Sequence, residues 1–218
     1  MSQSQSQSQP QRNEAVRMFA DEFNEASIEF QEQEDVDDED GENSRAPKYH
    51  LLPSGGCANR VLMMGTVTEI DQVSESPITL RAKIVDQTGN FFTYAGKYNP
   101  DEVSYLQNLE APEHVMVVGK PNTYTTDEGD TYVSVEPENI TVVEKATRDR
   151  WTAETAMQTL DRIDAFRKGE APYGNEAAQY YDFDHEDFVN DIKEIGTEII
   201  NENTDETDSA AQPQAPSA

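Results

Sequence analysis

The side chains that could carry covalent or metal chemistry are few and scattered. Cys57 is the one cysteine, and His50, His114 and His185 lie far apart, none with a metal-ligand partner at helical spacing. An intramolecular disulfide and a cysteine-based metal cluster are thereby excluded. There is no phosphate-cradling P-loop and no nucleophile elbow. The acid pair Asp161/Asp164 falls on the expected solvent face of a helix, and Asp127, Glu128 and Asp130 form an acidic turn without the calcium-loop pattern. The expectation is of no enzyme, no metal and no cofactor. What remains is noncovalent: rings and a few cations within one stretch, namely Arg60, Arg81, Lys83, Phe92, Tyr94, Lys97, Lys120, Tyr124 and Tyr132. Rings stack on flat apolar partners and cations meet phosphates, the two contacts that an unpaired polynucleotide strand requires. Each stacked base contributes about 1–3 kcal/mol.

The elements that must position these residues are strands. From about residue 59 the apolar period is two. It predicts strands over Arg60–Ile70, with a bulge at Gly65, then Ile78–Val85 and Phe91–Tyr98. Asp86-Gln87-Thr88-Gly89-Asn90 reads as the turn before the third strand. A short helix follows: Asn99 can cap it, Pro100 suits its first position, and Asp101 and Glu102 favour its N-terminal dipole. Val115–Thr125 and Thr131–Val143 complete the set around an Asp127–Asp130 hairpin. Three strands, a helix and two strands in about 90 residues is the order of an OB-fold, the small Greek-key barrel that holds oligonucleotides or oligosaccharides on its second and third strands and loops.

Parity then assigns faces. Ile78, Leu80, Ala82 and Ile84 share one face, so Arg81 and Lys83 take the other; Val133 and Val135 claim the interior and turn Tyr132 outward. Phe92 and Tyr94 share a face that parity leaves unassigned, so they suit the barrel interior as well as a stacking surface. Tyr124 can equally cover the barrel end. Arg81 and Lys83 also suit a solvated strand face, and Lys97 and Lys120, each beside a glycine, suit plain surface positions.

The flanks read as helical. Val16, Phe19, Phe23, Ala26 and Phe30 are spaced by three and four, predicting an amphipathic helix over about 12–32. Its apolar stripe can pack on the chain's own barrel or dock on a partner; the acidic run Glu34–Glu42 that separates it from the barrel favours the partner. After the barrel, Trp151–Lys168 is a second helix, with Met157, Leu160 and Ile163 on one side and Gly169 as its stop. Leu160 and Ile163 are candidate partner contacts too. Ala171–Asn175 reads as a loop, and Phe188, Ile192, Ile195 and Ile199 mark a third helix at about 185–200. The Ser/Gln repeat from Ser2 to Gln9 and the tail beyond Asn201 should be disordered. The organisation is thus 1–46 flank and linker, 47–146 barrel, 147–200 helices and 201–218 tail: an all-β core with helical flanks.

Charge sets the environment. The chain carries 44 acidic against 16 basic residues, a net charge of −28, and its mean hydropathy is −0.82. Even the barrel, 47–146, holds 14 acids against 7 bases. Such a surface repels phosphate in dilute buffer, but the Debye length falls to about 3 Å at about 1 M salt. An acidic surface throughout, with only 7 lysines, suits the solubility of proteins that work in molar salt. The alternative is an acidic scaffold of ordinary salt, and acidity in the folded middle as well as the tails favours the first. No apolar run reaches the ~18 residues of a membrane span and no secretory signal opens the chain, so a cytoplasmic location is expected.

Two segments resemble the OB domains of replication protein A. They are Arg60-Val61-Leu62-Met63-Met64-Gly65-Thr66-Val67-Thr68-Glu69-Ile70 and Val85-Asp86-Gln87-Thr88-Gly89-Asn90-Phe91-Phe92, the latter continued by Tyr94-Ala95-Gly96-Lys97-Tyr98-Asn99-Pro100. Over roughly residues 12–200 the chain resembles the haloarchaeal OB-fold proteins associated with replication protein A. The resemblance implies an accessory subunit of a single-stranded-DNA-binding complex in replication and repair, hetero-oligomeric with a large subunit of the replication protein A type. It also implies a stacking aromatic on the third strand, matched by Phe92 or Tyr94, and another near the last hairpin, matched by Tyr124 or Tyr132. The chain lacks the zinc ribbon that many archaeal large subunits carry, which agrees with a partner role. The competing expectation is an OB-fold scaffold that holds partner subunits without touching DNA.

Overall fold

Alternating apolar residues close a barrel here because every second side chain from five strands meets the others inside. A computed structural model describes residues 13–31 and 47–210. The Ser/Gln start, the acidic run Glu34–Glu42 and the last residues of the tail lie outside the described residues. The N-terminal elements are β1 (Val16–Arg17), α1 (Ala20–Glu25), β2 (Glu29–Gln31), β3 (Lys48–Leu51) and β4 (Cys57–Ala58). The barrel follows as β5 (Val61–Glu75), β6 (Ile78–Val85), β7 (Asn90–Ala95), α2 (Pro100–Asn108), β8 (Glu113–Thr125) and β9 (Thr131–Val142). Helices α3 (Lys145–Lys168), α4 (Gly174–Tyr180) and α5 (His185–Ala210) end the described chain.

Strand order β5-β6-β7-β9-β8, closed by β8 on β5, is the OB-fold. All its contacts are antiparallel except β7–β9, which meet in parallel at Thr93 and Val135 alone. There the Thr93 hydroxyl donates to the Val135 carbonyl at 2.9 Å. Met63, Val67, Ala82, Ile84, Phe91, Val117 and Val135 fill the interior. Leu106 of α2 is buried with them at one end, and α1 covers the other beside the β6–β7 turn. β5 is long enough to pair with β8 through its first half and β6 through its second. The expected bulge at Gly65 is not found; the register shifts lie between Val67 and Glu69 and between Gln72 and Ser74. Gly65 is required instead by close approach, since a Cβ there would lie 2.6 Å from the Val85 carbonyl oxygen.

The N-terminal stripe corrects the expected helix. Val16 lies in a strand parallel to β5, Phe23 in a helix of six residues, and Phe30 in β2. Phe19 and Phe23 are fully buried on this chain's own core: Phe23 meets Phe91 edge-on at 6.4 Å, and Phe19 meets Trp151 at 5.6 Å. Phe30 packs between Tyr49 and Tyr173. Burying two phenylalanines stabilises by roughly 3–6 kcal/mol together, which is the physical reason they do not wait for a partner. Ile163 is buried in one core with Phe188 and Ile192 of α5, and Leu160 packs half-buried against that core. Of the six expected partner contacts, Phe19, Phe23 and Ile163 are buried within the chain, and Val16, Phe30 and Leu160 are half-buried.

The turn after β6 anchors this segment. Asp86 accepts from the Ala20 N–H at 2.7 Å and from Thr88 and Gly89 N–H groups within its own turn. The Thr88 hydroxyl accepts from the Asp21 N–H. Glu22, 1% exposed, accepts from Ser54 at 2.6 Å and pairs with Arg162 of α3 at 2.5 Å. β2, β3 and β4 form a small second sheet that the sequence pattern did not reveal.

α3 starts six residues before the expected Trp151 and ends at Gly169, whose φ of 73° and bonds to the Ala165 and Phe166 carbonyls make the C-terminal cap. The loop expected over Ala171–Asn175 gives way to α4 at Gly174, and α5 continues to Ala210, well past the expected end. Nothing between Ile200 and Ala210 is Gly or Pro, so nothing local stops it. Trp151, Ile163, Phe188 and Ile192 share a core with Met64 and Phe19, which fixes the helices to the outer face of β5 and β8. Among the described residues no helix is long and apolar enough to cross a membrane.

Candidate nucleic-acid interface

The helices leave the outer face of β6, β7 and β9 uncovered. On β7 the buried set is Phe91, Thr93 and Ala95, so Phe92 and Tyr94 point outward, resolving what parity left open. Register sets them opposite cations: Arg81 faces Tyr94 and Lys83 faces Phe92 across β6–β7. On the other side of β6 the same cations face acids, Arg81 opposite Asp71 and Lys83 opposite Glu69. Tyr124 and Tyr132 are a directly opposed pair across the β8–β9 hairpin.

Arg81, Phe92, Tyr94, Tyr124 and Tyr132 border one groove of about 1340 Å³, larger than the roughly 300–1,000 Å³ of a small-molecule pocket. It runs from Val73 and Pro77 near the β5–β6 turn, across Phe92 and Tyr94, to Thr126 and Thr131 at the β8–β9 turn. Six consecutive residues of β9, Thr131 to Glu136, line its wall. That lining follows the strand edge, which is open because β9 meets β7 at Val135 only.

Among the described lining residues only Arg81, Lys97 and Glu136 are charged. Arg81 is committed: its Nη2 lies 2.5 Å from Asp71 Oδ2 and its Cζ 5.3 Å from the Phe92 ring centre. The Asp71 carboxylate holds the guanidinium pKa above its ordinary value. Its role is to back Phe92 with a fixed cation, leaving little charge for a phosphate. Lys97 is exposed, with its Nζ 5.4 Å from the Tyr98 ring centre. Tyr124 and Tyr132 are 66% and 60% exposed. The surface therefore offers ring faces and neutral donors and acceptors, and little net charge.

Six of the nine candidate contacts line this groove: Arg81, Phe92, Tyr94, Lys97, Tyr124 and Tyr132. Three do not. Arg60 is held by Glu138 at 2.7 Å, Lys120 lies opposite Glu136 beyond the groove's edge, and Lys83, though outward, is half-buried between Glu69 and Phe92. The sequence reading missed Tyr98, which is 81% exposed. Its signal was its place between a strand end and the Asn99-Pro100 helix start, where no core position is available.

Two of the histidines, His50 and His114, are held by hydrogen bonds within the fold. His50 is buried and its Nδ1 lies 2.8 Å from the Ala26 carbonyl. His114 sits between the Thr66 hydroxyl at 2.9 Å and Arg148 Nη1 at 3.3 Å. Burial lowers both pKa values, and Arg148 adds to the effect at His114. Since Arg148 can only donate, His114 Nε2 accepts, and the ring is neutral.

No protein-family model matches the chain, and no curated protein matches it. Similar solved structures include the Stn1–Ten1 complex of S. pombe, at 11% identity and a TM-score of 0.43, covering 53% of this chain and 81% of that one. The second single-stranded-DNA-binding protein of Mycobacterium smegmatis aligns at 13% identity and 0.34, covering 41% and 89%. An OBody bound to hen egg-white lysozyme aligns at 18% and 0.33, covering 39% and 81%. The fold assignment rests on the strand order given above.

Proposed function

We propose that this chain binds single-stranded DNA along the β6–β7–β9 groove, as an accessory subunit beside a large subunit of the replication protein A type. It would serve replication and repair in a cell with molar internal salt, and it binds rather than catalyses. The observation that carries the reading is the convergence of five rings, Phe92, Tyr94, Tyr98, Tyr124 and Tyr132, on one groove. Stacking needs no counterion release, so it survives in concentrated salt where phosphate contacts fade. The scarcity of free cations in a chain of net charge −28 favours the same solution. It equally favours a second reading, a scaffold that holds protein partners and leaves DNA alone. Phe19 and Phe23 of the N-terminal stripe are buried within the chain, which supports partner subunits meeting another surface.

Fluorescence anisotropy with a labelled oligothymidylate at about 2 M KCl separates the two. The full chain with its co-purifying partner should bind, and Phe92→Ala/Tyr132→Ala should weaken binding while the partner stays attached. Unchanged affinity in that variant would favour the scaffold.

A further inference from the structure

We infer that the turn Gly96–Asn99 is one end of the strand's track, where Tyr98 stacks a nucleobase beyond those on the barrel face and Lys97 meets the adjoining phosphate. The inference rests on single-stranded DNA being the groove's ligand.

Tyr98 is 81% exposed, yet its turn is pinned on several sides. The Asn99 N–H donates to the Gly96 carbonyl at 3.0 Å, and the Asn99 side-chain amide donates to the Pro137 carbonyl at 2.9 Å. Asn99 also accepts from the Val103 N–H at 3.0 Å, which ties the turn to α2. A Cβ on Gly96 would lie 3.3 Å from the Thr79 hydroxyl, so the turn rests closely on β6. A ring carried on a braced turn is presented to solvent without the ordering cost of a loose loop.

Charge agrees. Arg81 is neutralised by Asp71 and Glu136 repels phosphate, whereas Lys97 has no ion pair among the described residues and sits over the ring it accompanies. An aromatic plane with an adjacent cation that has no ion pair among the described residues matches one base and one phosphate. Both side chains line the same groove as Tyr94, so the site continues the barrel's track.

A length series tests this. Oligothymidylates of about 4 to about 16 nucleotides, the span of site sizes for one such barrel, are titrated against the full chain, Tyr98→Ala and Tyr98→Phe. Tyr98→Ala should match wild type on the shortest oligomer bound and weaken the longest by roughly 5- to 150-fold, with affinity levelling off at a shorter length. Tyr98→Phe should follow wild type throughout. Lys97→Gln should lower the salt slope by about 0.7 on the longer oligomers only. A Tyr98→Ala effect that is equal at all lengths, or absent, overturns the inference while leaving DNA binding intact. Failure of wild type to bind any length overturns the DNA reading and this inference with it.

Discussion

Removing the Glu22 carboxylate should destabilise the whole molecule far more than its place in a six-residue helix suggests. Glu22 is 1% exposed and joins three elements, accepting from Ser54 and pairing with Arg162. Glu22→Ala strands a guanidinium whose Nε is already without a partner. Deleting one member of a buried pair costs about 3–5 kcal/mol, while exchanging both for apolar groups of similar volume is often near neutral. Urea unfolding of Glu22→Ala should therefore show a loss of about 3–5 kcal/mol, and Glu22→Leu/Arg162→Met should recover most of it. With Glu22→Leu and Arg162→Met also measured singly, the coupling from that double-mutant cycle should exceed about 1 kcal/mol. It should also persist between low salt and about 2 M KCl, because buried pairs are screened little. Additive costs, or a Glu22→Ala loss under about 1 kcal/mol, would refute the claim that the N-terminal segment is bolted to α3.

Three further outcomes follow from packing and protonation. Phe23→Ala should cost about 3–5 kcal/mol in the same unfolding assay, and a negligible loss would mean the segment is not core. Gly119→Ala should be destabilising by about 1–3 kcal/mol, because its Cβ would collide with the Glu136 carbonyl oxygen and approach Val135 Cγ1 at 2.7 Å; a neutral result in thermal melts would contradict the β8–β9 register. His50 and His114 have lowered folded pKa values, so below the ordinary 6.5 the unfolded chain binds more protons. Stability from these groups is present above about pH 6.5 and lost as pH falls through the folded values. The melting temperature should drop on acidification, and less so in His50→Gln; an unchanged slope in that variant would remove His50 from the account.

The barrel was legible because period two is unambiguous where polar and apolar residues alternate cleanly, as in Ile78–Val85. The same parity turned Arg81, Lys83 and Tyr132 outward. It could not place Phe92 and Tyr94, because Phe91 and Phe92 give both faces of β7 an aromatic, and only the closed barrel decides between them. The N-terminal stripe misled for a physical reason: intervals of three and four suit a helix, but here a strand, a short helix and a second strand each turn one or two apolar residues inward. Strands β2, β3 and β4, of two to four residues, are too short to display any period. Charge likewise announced cations without their partners, so Arg60 and Arg81 read as free when Glu138 and Asp71 hold them.

Photo-cross-linking in concentrated salt addresses the central claim most directly. A single-stranded oligomer carrying a photoreactive thymidine analogue, irradiated with the intact complex and mapped by mass spectrometry, should label peptides containing Phe92, Tyr94 and Tyr132 on this chain. Labels confined to a partner subunit, or to the α3–α5 face, would contradict it.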